Sequence, residues 1–144
     1  MVLLFSMSVQ AQDYVKVLDR INTFFETFDG GYYGHFEIKD GVLYNYFKSG
    51  KYASAKMADL AIATEEEPSR KVILNCKDGG ECVYSTYTDS YHAKMQFSTN
   101  GNFNTKELID LFNELINAYN RTSETTYPEP EPPQQTRFSE RAEN

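Results

Sequence analysis

The chain has 144 residues, the size of one ordinary domain, and aromatic residues make up 15 % of it, with eleven Tyr, ten Phe and no Trp. Its formal net charge of −7 argues against nucleic acid and anionic membrane surfaces as partners, because both are bound by clustered Lys and Arg. No segment approaches the roughly eighteen apolar residues of a membrane-spanning helix. The composition therefore predicts one domain with no nucleic-acid partner and no membrane span.

Residues 1–11 are predicted to be a secretory signal peptide. Val2 to Val9 is a short, mostly apolar stretch, and Val9-Gln10-Ala11 has the small-residue spacing of a signal-peptidase site. No Lys or Arg follows Met1, so we expect that further residues precede it. The alternative is the apolar N-terminus of a cytosolic protein. The stretch from Ser8 to Gln12 resembles the end of signal peptides from Bacteroidota, in which Gln commonly follows the cleavage site.

Asp13 to Phe28 is predicted to form an amphipathic helix. Asp13 can cap its first turn, and Asp29-Gly30-Gly31 can end it. Its apolar residues recur with helical spacing and form one stripe: Val17, Leu18, Ile21, Phe24, Phe25 and Phe28.

Gly31 to Lys51 is predicted to contain a hairpin, because two aromatic-rich runs flank Asp40-Gly41, a strong two-residue turn. A two-residue turn places Lys39 opposite Val42, Glu37 opposite Tyr44, His35 opposite Tyr46, and Tyr33 opposite Lys48. Side chains alternate along a strand. One face is therefore predicted to enter the core, through Phe36, Ile38, Leu43 and Phe47. The other face is the candidate binding surface, through Tyr33, His35, Glu37, Tyr44 and Tyr46.

The register of the next strand, Tyr52 to Met57, is left open by the sequence. A two-residue turn at Ser49-Gly50 would put Ala53, Ala55 and Met57 on the tyrosine side of the sheet. A three-residue turn would put them on the Phe36 side, because a shift of one residue reverses every side chain.

The later segments are predicted to be further antiparallel strands. Lys71 to Asn75 and Cys82 to Thr88 are read as the two arms of a hairpin around Lys77 to Glu81. Tyr91 to Ser98 alternates cleanly, which predicts one half-buried strand with Tyr91, Ala93, Met95 and Phe97 facing inward.

Asn104 to Tyr119 is the best-marked helix of the sequence. Asn104 is suited to cap it and Glu107 has capping-box spacing, while Phe103 can pack on Leu108. A broad apolar face follows, with Leu108, Ile109, Leu111, Phe112, Leu115, Ile116 and Tyr119. Residues 121–144 hold four of the five prolines, which predicts a disordered Pro/Glu-rich tail. Residues 12–120 are then the single folded domain.

Cys76 and Cys82 bracket the Lys77-to-Glu81 loop and are equally distant from its centre. Residues placed in this way face each other across a hairpin, so a Cys76–Cys82 disulfide is predicted for an oxidising compartment. The alternative is a pair of reduced, buried thiols.

The remaining candidates for chemistry are few. His35 and His92 are both expected on the solvent side of strands, and no spacing typical of a metal site is present, so neither a metal nor a cofactor is predicted. No nucleophile elbow, phosphate loop or dinucleotide fingerprint appears. Glu37 among the tyrosines is the constellation with acid–base character, and Cys82 with His92 is a second one on paper.

The order of elements resembles the pleckstrin-homology-like superfold over Gly31 to Asn120, in the Asp40-Gly41 hairpin, the Lys56-to-Leu60 strand exit and the Asn104-to-Tyr119 helix. The resemblance implies an α+β fold: a bent antiparallel meander of six to seven strands, or partial barrel, with a C-terminal capping helix, here preceded by an N-terminal helix. Phosphoinositide-binding members use basic residues around the first hairpin. Lys39, Lys48 and Lys51 are offset here by Glu37 and Asp40, so lipid headgroup binding is not implied.

The favoured functional prediction is an exported, periplasmic or extracellular binding module without catalytic activity. It would bind a protein, peptide or glycan through the tyrosine-rich hairpin face. The alternatives are a small hydrolase with Glu37 or Cys82 in the chemistry and an accessory domain of a larger exported protein. The sequence also resembles small exported Bacteroidota proteins without assigned function.

Overall fold

A computed structural model describes residues 2–29, 34–98 and 104–126. It shows an α+β protein in which two helices accompany an antiparallel meander, with eight short strands in the described ranges instead of six to seven. The elements in chain order are α1 (Val2–Asp29), β1 (His35–Lys39), β2 (Val42–Tyr46), β3 (Tyr52–Lys56), β4 (Leu60–Glu66), β5 (Lys71–Cys76), β6 (Val83–Ser85), β7 (Ser90–His92), β8 (Lys94–Phe97) and α2 (Thr105–Thr126).

The predicted register of the first hairpin is confirmed. Lys39 pairs with Val42, Glu37 with Tyr44, and His35 with Tyr46. Asp40 and Gly41 both have positive φ, as the two-residue turn requires. Tyr33, expected opposite Lys48, lies outside the described residues. Phe36 and Leu43 are fully buried and Ile38 and Phe47 pack partly buried against the core, as expected.

The open register of β3 is the one that a three-residue turn gives. The N–H of Phe47 donates to the carbonyl of Lys51, and Tyr46 then pairs with Tyr52. Ala53 and Ala55 are therefore buried on the Phe36 side of the sheet. Tyr52 joins the tyrosine side.

The strands form two sheets, ordered β1-β2-β3-β6-β7 and β4-β5-β8. β3 continues into β4 through a single 3₁₀ turn at Met57–Asp59. β3 pairs with β6 while β4 pairs with β5. The chain therefore passes between the two sheets three times, from β3 to β4, from β5 to β6 and from β7 to β8.

The predicted hairpin at Lys77 to Glu81 is wrong. β6 and β5 both run antiparallel to the segment 90–97, β6 along β7 and β5 along β8. The loop at residues 77–82 therefore bulges out between β5 and β6, which continue in the same direction. The chain reverses instead at residues 86–89, where the N–H of Asp89 donates to the carbonyl of Ser85.

The expectation of one regular strand from Tyr91 to Ser98 is also wrong in its first half. The strand is interrupted at Ala93, whose carbonyl accepts from the N–H of Cys76 where the two sheets meet. Met95 and Phe97 are buried as predicted, but Tyr91 is 60 % exposed and Ala93 is exposed. The interruption turns Tyr91 to the outer face.

Four phenylalanine rings form the centre of the core. Phe25 of α1 stacks on Phe36 with ring centroids 5.3 Å apart, and Phe97 of β8 stacks on Phe112 of α2 at 5.4 Å. Phe36 and Phe97 lie in different sheets, yet their centroids are 5.7 Å apart. The sheets therefore bend toward each other, and both helices pack on the inner side of the bend.

The helices extend further than the sequence predicts. α1 begins at Val2, so Asp13 lies inside it instead of at its start, and it ends at Asp29. The predicted cap of α2 is confirmed, because the N–H of Glu107 donates to Asn104 Oδ1 over 3.1 Å. Phe103 lies outside the described residues. α2 continues to Thr126, six residues into the predicted tail, and residues 127–144 lie outside the described ranges. Neither helix, over the residues described, is long and apolar enough to cross a membrane.

Each helix also places an asparagine against the edge of a sheet. The side chain of Asn22 donates to the carbonyl of Phe36 over 3.0 Å and accepts from its N–H over 2.7 Å. Asn113 of α2 accepts from the N–H of Ala63 in β4 over 2.6 Å. These contacts occupy backbone groups that an edge strand would otherwise offer to another chain.

Candidate partner-binding face

The outer side of the five-stranded sheet carries a continuous group of tyrosines, which we call the tyrosine face. Four of the five predicted binding residues can be placed, and His35, Glu37, Tyr44 and Tyr46 all lie on this side. Tyr33 lies outside the described residues. The pairing of β3, β6 and β7 adds three tyrosines that the sequence prediction did not assign to this face: Tyr52, Tyr84 and Tyr91.

The rings on this face contact one another. Tyr44 and Tyr46 are nearly parallel, with centroids 5.5 Å apart, and Tyr52 lies 5.6 Å from Tyr44. Tyr84 and Tyr91 form a second pair at 5.3 Å. The Tyr44–Tyr52 and Tyr84–Tyr91 contacts join neighbouring strands, and aromatic cross-strand pairs stabilise a sheet by about 0.2–1 kcal/mol each. The face is therefore an ordered surface.

Charged side chains of β1 border the first tyrosine group. Lys39 Nζ lies 5.1 Å from the centre of the Tyr44 ring and 5.3 Å from that of Tyr46. The hydrogen bond with Tyr46 is the largest cause that raises the pKa of Lys39. His35 Nε2 lies 2.6 Å from Glu37 Oε2, and this hydrogen bond is the largest cause that lowers the pKa of Glu37.

A groove lies between the two tyrosine groups. It measures about 360 Å³ and is lined by Val42, Tyr44, Ser54, Ala55, Lys56, Asp59, Glu81, Cys82, Tyr84 and Tyr91. Ser54 pairs with Tyr44 on one side and with Tyr84 on the other. The hydroxyl of Tyr84 donates to Asp89, and this hydrogen bond is the largest cause that raises the pKa of Tyr84.

The side of the sheet that Tyr52 faces could have been predicted from the alternation of residues 52–57. Tyr52, Ser54 and Lys56 alternate with Ala53, Ala55 and Met57, and the second set is the more apolar. Applying the core criterion to this strand selects the three-residue turn. Tyr84 and Tyr91 carry no such signal, because their orientation depends on the interruptions at residues 77–82 and at Ala93.

Cys76 and Cys82 form the predicted disulfide, with sulfur atoms 2.05 Å apart. The disulfide closes the loop between β5 and β6, where the two sheets meet. Because the Cys82 sulfur is bonded to Cys76, it offers no thiolate for a Cys82–His92 nucleophile pair.

A second concavity of about 350 Å³ opens on the inner side of the bend. It is lined by Asn45, Phe47, Ala53, Val83, Ser85 and by residues 92–96. His92 was expected to face solvent, but it is half-buried and lines this concavity, because it pairs with the buried Val83. Its Nε2 lies 2.7 Å from Thr88 Oγ1.

Two glutamates at the end of β4 form ion pairs with basic side chains elsewhere in the structure. Glu65 binds Arg70 over 2.9 Å, and Glu66 binds Lys94 over 3.1 Å. Across residues 2–29, 34–98 and 104–126, no group of three or more His, Cys, Asp or Glu side chains is arranged to hold a metal ion.

Comparisons of this chain with protein-family models, with curated proteins and with solved structures found no match. The geometry of the tyrosine face and of the groove within it is therefore the basis on which a function can be assigned.

Proposed function

We propose that the protein is an exported, non-catalytic binding module that engages a protein, peptide or glycan partner through the tyrosine face. The observation that carries this proposal is the position of the helices. Phe25 of α1 and Phe112 of α2 both contact Phe36, on the opposite side of the sheet. Both helices therefore pack on the side of the sheet opposite the tyrosine face, so the described tyrosines of that face do not serve to seat α1.

The chemistry of the face supports recognition. Tyrosine presents a broad apolar ring with a polar tip, and it loses little conformational entropy on binding because it has two side-chain torsions. On this face the rings are further held by one another and by Lys39. A preorganised surface spends less free energy on ordering when a partner binds.

The disulfide supports export, because disulfides persist in oxidising compartments. We propose that the chain is cut after Ala11, following the Val9-Gln10-Ala11 pattern. Expression of the gene with its full N-terminus should give a mature protein whose intact mass begins at Gln12. A mature chain that still carries residues 1–11 would count against export.

We also propose that the architecture is related to the pleckstrin-homology-like superfold. The bent antiparallel meander and the capped C-terminal helix support this relation. The Asn22 contacts show that α1 is bonded to the edge of β1, which is an addition to the simplest form of that superfold.

The hydrolase alternative has less structural support than binding at the tyrosine face. A general acid at neutral pH needs a raised carboxyl pKa, and the pKa of Glu37 is lowered. An accessory domain of a larger exported protein would use the same face, so that alternative changes the context of the proposed function and not its surface.

The test separates a binding surface from a structural one. Tyr44→Ala with Tyr46→Ala should cost far less stability than Phe36→Ala, because core phenylalanines cost about 3–5 kcal/mol when truncated. Thermal melts measure this difference. The double variant should also lose a partner that the wild type captures from periplasmic extract, since tyrosines at interface centres commonly contribute more than about 2 kcal/mol.

Tyr87→Ala is the matched control, because Tyr87 is 55 % exposed but does not line the groove. It should retain the captured partner. A double variant that melts as low as Phe36→Ala, or that keeps the partner, would end the proposal.

A further inference from the structure

Three tyrosines line the groove of the tyrosine face, Tyr44, Tyr84 and Tyr91, and we call this groove the slot. Tyr44, Ser54 and Tyr84 occupy one row across three neighbouring strands. Strands lie about 4.8 Å apart, so the backbones of Tyr44 and Tyr84 are separated by roughly 10 Å. The small side chain of Ser54 lies between them. The row therefore places the groove of about 360 Å³ over a small side chain with a tyrosine on each side, and Tyr91 pairs with Tyr84 on the neighbouring strand.

Carboxylates stand at one end of this slot. Asp59 and Glu81 both line the groove. In the described part of the chain neither makes an ion pair, whereas Glu37, Glu65, Glu66, Asp110 and Glu114 all do. Two acidic groups beside an aromatic slot favour a positively charged occupant.

The tyrosines of this protein already hold cations. Lys39 Nζ lies over the rings of Tyr44 and Tyr46, and Lys51 Nζ lies 5.7 Å from the centre of the Tyr87 ring. Such contacts arise because the face of an aromatic ring carries negative charge density. Tyr84 and Tyr91 have no cation of this kind among the described residues.

We propose that the slot binds the guanidinium group of an arginine from a basic partner polypeptide. This inference rests on the proposed function and specifies its partner. Guanidinium is flat, stacks on aromatic rings and offers several N–H donors in one plane to carboxylates. The group would lie between Tyr44 and Tyr84 and donate toward Asp59 and Glu81. The net charge of −7 would also attract a basic partner.

Removing the charge of Lys56 should affect binding in the opposite direction from removing a groove carboxylate. It lines the same groove and is exposed, and its ammonium repels a cationic ligand. Removal of its charge should therefore strengthen binding of arginine, while removal of the Glu81 charge should weaken it. A neutral ligand would respond little to either change, and an anion would respond with both signs reversed.

The experiment uses two blocked tripeptides, acetyl-Gly-Arg-Gly-amide and the same peptide with citrulline in place of arginine. Citrulline keeps the shape and loses the charge. Titration of the isotope-labelled protein, followed by NMR, should shift signals of Tyr44, Ser54, Tyr84 and Tyr91 with the arginine peptide. The citrulline peptide should bind at least about tenfold more weakly. Equal binding of the two peptides, or no shift with either, would overturn the proposal.

Three charge variants complete the test. Glu81→Gln should weaken binding of the arginine peptide several-fold, and Lys56→Gln should strengthen it several-fold. Glu67→Gln is the control, because it removes one exposed negative charge outside the groove and should leave the affinity unchanged. Equal effects of Glu81→Gln and Glu67→Gln would mean that the peptide responds only to the net charge of the protein, and would refute binding in the slot.

Other ligands provide the distinguishing outcomes. Methyl mannoside and acetyl-Gly-Pro-Gly-amide should leave the slot signals unchanged. If one of them shifts these signals and the arginine peptide does not, the tyrosine face still binds a partner but not a cation. Loss of partner capture by Tyr44→Ala with Tyr46→Ala tests the proposed function separately, so the failures of the two proposals can be told apart.

Discussion

Glu37 lies between two basic side chains of its own strand. His35 Nε2 is 2.6 Å from one carboxylate oxygen, and Lys39 Nζ is 3.6 Å from the other. We predict that His35→Ala raises the pKa of Glu37 toward its ordinary value, because the hydrogen bond with His35 is the main cause of its lowering. NMR titration of the Glu37 carboxyl carbon measures the change.

The sign of the effect on stability follows from the same shift. A carboxyl with a lowered pKa stabilises the folded state above its unfolded pKa, and this stabilisation is lost as the pH falls through the folded pKa. Solvent screens the pair, because the Glu37 side chain is 41 % exposed. An unchanged titration of Glu37 in His35→Ala would show that Lys39 alone lowers the pKa.

The orientation of a single side chain can be predicted from the sequence where the length of the neighbouring turn is fixed. Asp40-Gly41 admits two residues, so the faces of His35 and Tyr46 follow directly from it. The orientation of Tyr91 could not be predicted in this way. Simple alternation places Tyr91 on the same side of the strand as Met95 and Phe97, and no turn residue marks the interruption at Ala93. Its orientation depends on where two sheets meet.

At the scale of elements, the two asparagines that bond sheet edges make a testable pair. We predict that Asn22→Ala and Asn113→Ala each cost about 1–3 kcal/mol, because they leave the backbone groups of Phe36 or Ala63 without their partner. Urea denaturation measures the free energy of unfolding. Size-exclusion chromatography should show more self-association, since the edges become available.

Asn117→Ala is the matched control, an exposed asparagine on the same helix as Asn113. It should change stability by less than about 0.5 kcal/mol. Asn22→Asp can accept from the N–H of Phe36 but cannot donate to its carbonyl, so we expect an intermediate loss. Equal effects of Asn113→Ala and Asn117→Ala would mean that the bond to Ala63 contributes nothing.

The disulfide clips the excursion between β5 and β6. Its cysteines are six residues apart. The entropy model for so short a loop gives about 2 kcal/mol, so we predict a loss of that size in Cys76→Ala with Cys82→Ala. Urea denaturation followed by circular dichroism measures it, and wild type under reducing conditions should unfold at a similar urea concentration.

Peptide mapping without reductant should find Cys76 joined to Cys82. Two alkylatable thiols after air oxidation would instead support the reduced alternative. The disulfide was predicted from the equal distance of the two cysteines to the centre of a hairpin loop, and the pairing is correct although the hairpin is not. Symmetry about a loop indicates that two residues meet, and it does not distinguish a reversal of the chain from a closed excursion.

At the scale of the whole molecule, the α+β class and the meander follow from the sequence because they depend on local signals: hairpin turns, alternation and two amphipathic helices. The bend does not follow from these signals. It arises where Met57–Asp59, the disulfide loop and Ala93 lie side by side, and these positions are far apart in sequence. The groove depends on that arrangement, since Asp59 and Glu81 come from two of the interruptions and Lys56 ends the strand before the first of them.

The buried apolar side chains that the structure describes run from Val17 to Ala118. We therefore predict that a chain of residues 12–126 folds as the full-length chain does, with its melting temperature nearly unchanged. Phe112→Ala in that shorter chain should cost about 3–5 kcal/mol, because Phe112 is fully buried against Phe36 and Phe97. Thermal melts of the three proteins compare these effects, and a loss on shortening as large as that of Phe112→Ala would place part of the core outside residues 12–126.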